Sequence, residues 1–346
     1  MRFFKRIPIF LTFICCYSSV SATNIFASIN LATTKGLVTT KVNDEIEFQL
    51  RQEIYEIKKE LFEGIKNKDY DKVSKLISPK LAEVKNFDLK SFVNQASSLL
   101  DKRDFVIVDQ YLSTLKKFGK ESKATIVPSL TDKSKLIINN LTFFGKESYN
   151  LFLKSKNPGW QNSSFISLSK FNGQWKINII HFGDYSINNL TPPKLYVLGN
   201  KAKRKNRLSS CVVYSWGINK FLRPAPYLQY IDEQKYIKFV KSSVSEMNAK
   251  FKFPFEIDGI TIFSFQTVTT NDVGLIPLIL YITDKDLKNP VVATEAKQLK
   301  GEILKKFYGL DHDFDYIIMK AYNEIPSDPK KIYNFRRTVI KLKADK

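Results

Sequence analysis

The chain has 346 residues, three cysteines, two histidines and a formal net charge of +21. So few cysteines and histidines exclude cysteine-based zinc sites and histidine-rich metal chemistry, and a chain of this length can bury a core without disulfides. No glycine-rich phosphate loop, GxSxG elbow or dinucleotide-binding fingerprint occurs, which excludes the commonest nucleotide-dependent and serine-hydrolase classes.

The positive charge predicts attraction to anionic polymers or membrane surfaces. Lysine greatly outnumbers arginine, however, and specific phosphate recognition relies on the planar arginine fork. After residue 22, an aromatic residue stands beside arginine only at residues 335–337. The composition therefore argues against a nucleic-acid partner. It predicts a largely solvated basic surface, in a protein whose abundant lysine, asparagine and isoleucine are typical of an AT-rich bacterial genome.

Residues 1–22 have the pattern of a secretory signal peptide. A positively charged start precedes an apolar run over residues 7–17, and Val20 and Ala22 supply small side chains at positions −3 and −1. We expect an exported protein, periplasmic or secreted, with no membrane span after the leader is cleaved. A retained anchor and a lipidated leader cysteine stay open as alternatives.

Helices are predicted next. Residues 23–44 are rich in serine, threonine and asparagine and predict a flexible lead-in or a short edge segment. Apolar residues at three- and four-residue steps over 45–65 predict a long amphipathic helix. A short second helix is expected to end at Pro79, and a third to span residues 87–100 behind an Asp88 cap.

Extended segments follow, at residues 104–112, 124–130, 135–141 and 149–154. The dipeptide Asn172-Gly173 then favours a two-residue type I′ turn, because both central residues need positive φ. Counting outward from this turn predicts a hairpin with one apolar face, in which the facing pairs are Lys170–Trp175, Leu168–Ile177, Ile166–Ile179 and Ser164–His181.

Helices followed by a bent antiparallel sheet that ends in a long hairpin resemble the nuclear-transport-factor-2-like superfamily. The residues that carry this resemblance are the stripe of the first helix, the helix break over residues 64–77, and the closing run 172–181. The resemblance covers residues 45–185 and implies a cone-shaped α+β domain. This superfamily includes ketosteroid isomerase, polyketide cyclases and dehydratases as well as non-enzymatic domains.

The resemblance directs attention to the cavity between sheet and helices. A base and hydrogen-bond donors would be needed there for catalysis, and the candidates are His181, Asp109 and Tyr111. The acid pair of ketosteroid isomerase has no counterpart in this chain, so no catalytic residue is assigned and no cofactor is expected. The predicted lining of a ligand cavity comprises Trp175, Ile177, Ile179, His181 and Tyr111.

Residues 186–207 predict an interdomain linker. They contain the densest basic run of the chain, and the candidate anion-binding residues are Lys201, Lys203, Arg204, Lys205 and Arg207. Residues 208–346 then predict a second α+β domain of order β-α-β-β-α-β-β, beginning with a strand at 209–216. This order favours a ferredoxin-like layer with one added strand.

Two smaller features have competing interpretations. Asp311, His312, Asp313 and Asp315 could bind a cation, but their spacing fits no known loop or helix motif and is typical of an ordinary turn. Cys211 lies in an apolar run and predicts a buried cysteine rather than a nucleophile.

Three functions remain as hypotheses. The first is an exported, non-catalytic protein that holds a small apolar ligand or a partner segment in the cone-like domain. The second is a cone-fold isomerase, cyclase or hydrolase acting on a hydrophobic substrate, which requires its three candidate residues to converge. The third is a binder of an anionic envelope polymer or lipid through the basic run.

Overall fold

A computed structural model describes residues 38–84, 87–100, 103–119, 123–126 and 136–343. The predicted leader and most of the predicted lead-in lie outside these residues. The N-terminal half contains, in order, β1 (Val38–Val42), α1 (Phe48–Lys66), α2 (Tyr70–Leu76), α3 (Pro79–Ala82), α4 (Leu89–Leu100), β2 (Phe105–Leu115), β3 (Lys123–Ile126), β4 (Leu136–Thr142), β5 (Glu147–Ser155), β6 (Trp160–Phe171) and β7 (Gln174–Ile187).

The C-terminal half begins with two helices. Its elements, in order, are α5 (Pro192–Arg204), α6 (Leu208–Phe221), β8 (Leu228–Tyr230), α7 (Glu233–Lys250), β9 (Phe255–Ile257), β10 (Ile260–Thr270), β11 (Gly274–Ile282), α8 (Val291–Gln298), α9 (Lys300–Lys306), α10 (Leu310–Asp313), β12 (Tyr316–Tyr322) and β13 (Arg336–Lys341). No helix in the described ranges is long and apolar enough to cross a membrane.

The first sheet has the order β1-β2-β5-β6-β7, with antiparallel neighbours throughout. One of its faces, here called the helix face, packs against α1, α2 and α4 around Leu61, Ile65 and Val93. The opposite face, here called the inner face, packs against the C-terminal half. The end of the predicted lead-in is thus an ordered edge strand, β1.

The helices of this half form where the periodicity predicts them. Buried residues of α1 recur at helical spacing, at Ile54, Leu61 and Ile65. The predicted Asp88 cap of α4 is confirmed, because its Oδ1 accepts the backbone N–H groups of Lys90 and Ser91.

The predicted linker and the predicted strand at 209–216 are both wrong. Residues 192–204 form α5, whose buried stripe is Leu195, Gly199 and Ala202. Residues 208–221 form α6, which is apolar nearly all round and contacts both α5 and α7 as well as strands of both large sheets. A short β-branched apolar run has the same pattern in a buried strand as in a buried helix.

The second large sheet has the order β13-β12-β11-β10-β9. Its neighbours are antiparallel except β11 and β12, which are parallel and are joined through α8, α9 and α10. The α+β class is therefore confirmed, but the ferredoxin-like order is wrong. The ferredoxin-like order requires the first strand of the domain to lie between two later strands. Residues 209–216 belong to a helix, and β11 and β12 are direct neighbours.

The two halves share one hydrophobic core. It runs from Tyr111 and Phe165 on the inner face, through α6, to Phe307 and Leu342 in the C-terminal half. A small third sheet joins the halves directly, since β8 pairs with β4. The halves are therefore in continuous contact, without the predicted linker between them.

Candidate functional site

The hairpin β6–β7 forms as predicted near its turn. Asn172 and Gly173 have φ values of 51° and 81°, as a type I′ turn requires, and Leu168 faces Ile177. Beyond this pair the ladder shifts, because Asn178 is an extra residue in β7. It forms a β-bulge, which leaves one residue unpaired.

The bulge changes every pairing that follows it. The predictions that Ile166 faces Ile179 and that Ser164 faces His181 are wrong, since His181 is paired with Phe165. An insertion of one residue moves all later side chains to the opposite face of a sheet. The bulge has no signal in the alternation of the sequence, so counting from the turn could not detect it.

As a result, the predicted lining of a ligand cavity divides between the two faces. Trp175 and Ile177 belong to the core on the helix face. Ile179 and Tyr111 belong to the inner face, and His181 shares that face through its pairing with buried Phe165. These residues therefore line no common cavity.

The three candidate catalytic residues share the inner face without converging. His181, Phe165, Phe152 and Asp109 form one row across four neighbouring strands. Strands are about 4.8 Å apart, so the row places His181 about 14 Å from Asp109, with two phenylalanines between them. Tyr111 lies one row further along the sheet. A proton cannot pass directly between groups so far apart.

Asp109 has structural contacts. Its carboxylate is fully buried, and its Oδ1 accepts a hydrogen bond of 3.2 Å from Nδ2 of Asn43. Burial, reinforced by the negative charge of Asp109, raises the pKa of Tyr185 to about 12. His181 is half-buried, and burial lowers its pKa from the usual 6.5. The burial of both residues, and the hydrogen bond of Asp109, fit a structural role on the inner face.

Near the turn of the hairpin, the inner face becomes polar. The residues there are mostly buried hydroxyl and amide side chains, namely Ser113, Ser148, Asn150, Ser167, Ser169 and Asn178. The hydroxyls of Ser148 and Ser167 are 3.3 Å apart, but Nδ2 of Asn150 and both amide atoms of Asn178 have no partner in the described structure. Such atoms are normally satisfied by water, so we expect this strip to be hydrated.

A groove of about 340 Å³ lies at the open end of the helix face. Its floor contains the last row of that face. Thr39 pairs with Thr114, and Thr114 with Glu147; Glu147 forms an ion pair of 3.3 Å with Lys170, and Lys170 pairs with Trp175. The floor therefore spans four of the five strands of the first sheet, from β1 to β6. It ends at Lys170, and the predicted ligand-binding Trp175 lies beside the groove, outside its lining.

The start of α1 forms the roof of the groove. Leu50 points towards Leu112 of the floor, and both contact the core of the helix face. At the rim, Lys41 and Glu47 form an ion pair of 3.7 Å with well-exposed side chains. The groove thus combines two leucine side chains with threonine hydroxyls and charge pairs.

Aromatic residues stand beside the end of the groove. The ammonium of Lys170 lies 5.1 Å from the ring centre of Trp175, whose Nε1 is buried without a partner in the described structure. The Tyr149 ring meets Trp175 edge-on, and its hydroxyl donates a bond of 2.6 Å to Gln110. Burial raises the pKa of Tyr149 well above its ordinary value, although the charge of Arg51 opposes the shift. Its hydroxyl therefore remains a neutral donor.

Sequence reasoning found Trp175, which lies beside the groove, but missed the residues that line it. Glu47, Leu50 and Thr39 come from segments more than a hundred residues away from the hairpin, so local alternation could not place them beside it. The one sequence signal for the groove was Leu50. It is the first member of the apolar stripe of α1, so it places the start of that helix against the sheet.

The predicted anion-binding run occupies the last turn of α5 and the residues after it. Two of its members have acidic partners. Lys203 bonds to Glu246, and Arg207 bonds to Asp313 at 3.1 Å with both side chains mostly buried. The other three are exposed and form no ion pair within the described chain, namely Lys201, Arg204 and Lys205.

The acidic cluster before β12 is divided among different partners. Asp311 lies 2.9 Å from Nδ1 of its neighbour His312, Asp313 contacts Arg207, and Asp315 contacts Lys343 at 2.7 Å. Within the described ranges, no group of three or more histidine, cysteine, aspartate or glutamate side chains could hold a metal ion. The weak metal candidate therefore has no support in the geometry.

The chain matches no protein-family model, and searches of curated proteins and of solved structures find no match. The nuclear-transport-factor-2-like resemblance therefore stays a prediction. Any function must be argued from the groove and the surface of this chain alone.

Proposed function

We propose that this chain is an exported, non-catalytic binding protein that holds a small amphiphilic ligand in the groove at the open end of the helix face. The groove itself is the observation that supports this proposal most directly. Its volume of about 340 Å³ is within the range of small-molecule sites, roughly 300–1,000 Å³. The separation of His181 from Asp109 favours binding over catalysis.

The lining defines the chemistry of the ligand. Leu50 and Leu112 provide apolar surface for a short aliphatic or aromatic body. The pairs Lys41–Glu47 at the rim and Glu147–Lys170 in the floor are largely solvent-exposed, and such pairs are worth about 0–1 kcal/mol each. A polar ligand head can therefore replace one partner at little cost. Because both signs of charge are present, a zwitterionic or neutral head fits better than a single strong charge.

Binding can be tested with the neutral fluorescent probe N-phenyl-1-naphthylamine. We expect saturable binding, and displacement by ten-carbon amphiphiles in the order decyl betaine before decanoate and decylamine. Leu50→Gln should weaken probe binding about tenfold, since it removes roughly 1.4 kcal/mol of apolar contact.

Leu99→Gln is the matched control, because Leu99 of α4 is also a half-buried leucine packed against the core of the helix face but lies outside the groove lining. It should leave probe affinity unchanged. Equal losses in the two variants, or no saturable binding by the unmodified chain, would show that the groove is not a ligand site.

A further inference from the structure

Helices α5 and α7 form an outer layer over α6. Their buried stripes face inward, and Gly199 of α5 lets the Phe239 ring of α7 approach, since a Cβ there would lie 2.7 Å from that ring. Tyr196 lies against the Tyr236 ring, and Lys203 meets Glu246 about two to three turns further on. The two helices therefore run side by side in the same direction. Their outer stripes face the same side of the molecule.

This outer surface is strongly basic. The two helices together contain eight lysines and arginines and two glutamates, a net charge of +6. Both glutamates are already paired, Glu233 with Arg223 and Glu246 with Lys203. Seven exposed cations of this surface have no ion pair with any described residue and are here called the basic face, namely Lys194, Lys201, Arg204, Lys205, Lys235, Lys238 and Lys241.

Apolar side chains lie among these cations. Val197 is 65% exposed and stands between Lys194 and Lys201 on one stripe of α5. Ile237 is half-buried on α7 beside Lys238. A soluble polyanion needs only the charges, whereas a lipid surface also accommodates apolar side chains that penetrate between headgroups. The combination therefore favours an anionic lipid surface.

We propose that the basic face docks onto an anionic lipid bilayer, with Val197 and Ile237 at the level of the headgroups. Each lysine near such a surface contributes about a fivefold gain in partitioning. Changing three of them to glutamine, at Lys201, Lys238 and Lys241, should therefore lower partitioning about 100-fold.

The test is co-sedimentation of the full chain with vesicles of 30% phosphatidylglycerol in phosphatidylcholine, and with vesicles of phosphatidylcholine alone. Because the full chain contains the apolar run 7–17, the readout is the ratio between variants and not the absolute binding. The triple variant should lose about 100-fold on anionic vesicles. Binding should fall steeply between low and high salt, because salt screens exposed charges.

The matched control is Lys66→Gln, Lys75→Gln and Lys90→Gln, which removes three exposed helical lysines from the opposite half of the chain. It should change vesicle binding by less than about threefold. An equal loss in this control would mean that only net charge matters, and would overturn the proposal.

A second variant separates lipid from soluble polyanion. Val197→Ser keeps every charge and should weaken binding to anionic vesicles while leaving binding to heparin unchanged. If the triple variant loses heparin binding but vesicle binding is unaffected by either change, the basic face recognises a polyanion and the lipid proposal is wrong. Unchanged thermal unfolding of the variants confirms that they remain folded.

Discussion

A methyl group placed on Gly183 should destabilise the fold through the contact between its two halves. Gly183 lies on β7 directly beside the carbonyl of Pro224, in the segment that follows α6. A Cβ there would be 2.2 Å from the carbonyl oxygen, and ordinary contacts begin at 3.4 Å. Strand and loop must therefore separate by about 1.2 Å.

The expected cost has two parts. Overpacking at a well-packed position costs about 1–3 kcal/mol. The separation also stretches the bond of 2.8 Å from the buried Ser163 hydroxyl to the same carbonyl, which is worth about 1 kcal/mol. Gly183→Ala should therefore lower the free energy of unfolding by about 2–4 kcal/mol, measured by urea denaturation and followed by far-UV circular dichroism.

Gly301→Ala is the matched control. Gly301 lies in α9, and a Cβ there would meet no atom within 4 Å. Since alanine favours a helix by up to about 1 kcal/mol over glycine, this variant should be stabilised. The same chemical change would thus have opposite signs at the two sites. A Gly183→Ala variant within about 0.5 kcal/mol of the unmodified chain would refute the close contact between the halves.

Three further outcomes are expected. Because burial lowers the pKa of His181, the unfolded chain binds protons more readily than the folded chain, and the stability should fall as the pH drops below about 6.5. His181→Gln should therefore flatten the decrease in Tm between about pH 7 and pH 5. Parallel curves of Tm against pH for the variant and the unmodified chain would contradict this. Gly173→Ala should lower the free energy of unfolding, measured by urea denaturation, by about 1–2 kcal/mol, because an L side chain is strained at a φ of 81°. An unchanged free energy of unfolding would argue against the type I′ turn. Arg223→Ala should lower the free energy of unfolding by about 1–3 kcal/mol, since it leaves the buried Glu233 carboxylate without its partner at 2.6 Å. Adding Glu233→Gln should recover part of that loss. No recovery would mean that Arg223 stabilises the fold through packing instead.

Local sequence patterns were sufficient to predict those elements whose formation depends on one residue or on one helical face. The Asn172-Gly173 turn, the Asp88 cap and the stripe of α1 were all predictable, because positive φ, a side-chain acceptor and a spacing of three or four residues act over a few positions. Trp175 could be placed beside the turn for the same reason. From these elements the α+β class follows.

Tertiary structure decided the features that local alternation cannot encode. The bulge at Asn178 reverses the faces of the residues of β7 that follow it, up to a second register shift after Asp184, and its stability depends on what each face packs against. The segment of α6 is apolar nearly all round, so only its position between layers makes it a helix instead of a strand. The groove requires α1, β1 and the hairpin to meet at one end of the sheet, a contact between segments more than a hundred residues apart. The sequence determined the local elements, and long-range packing determined which side chains they bring together.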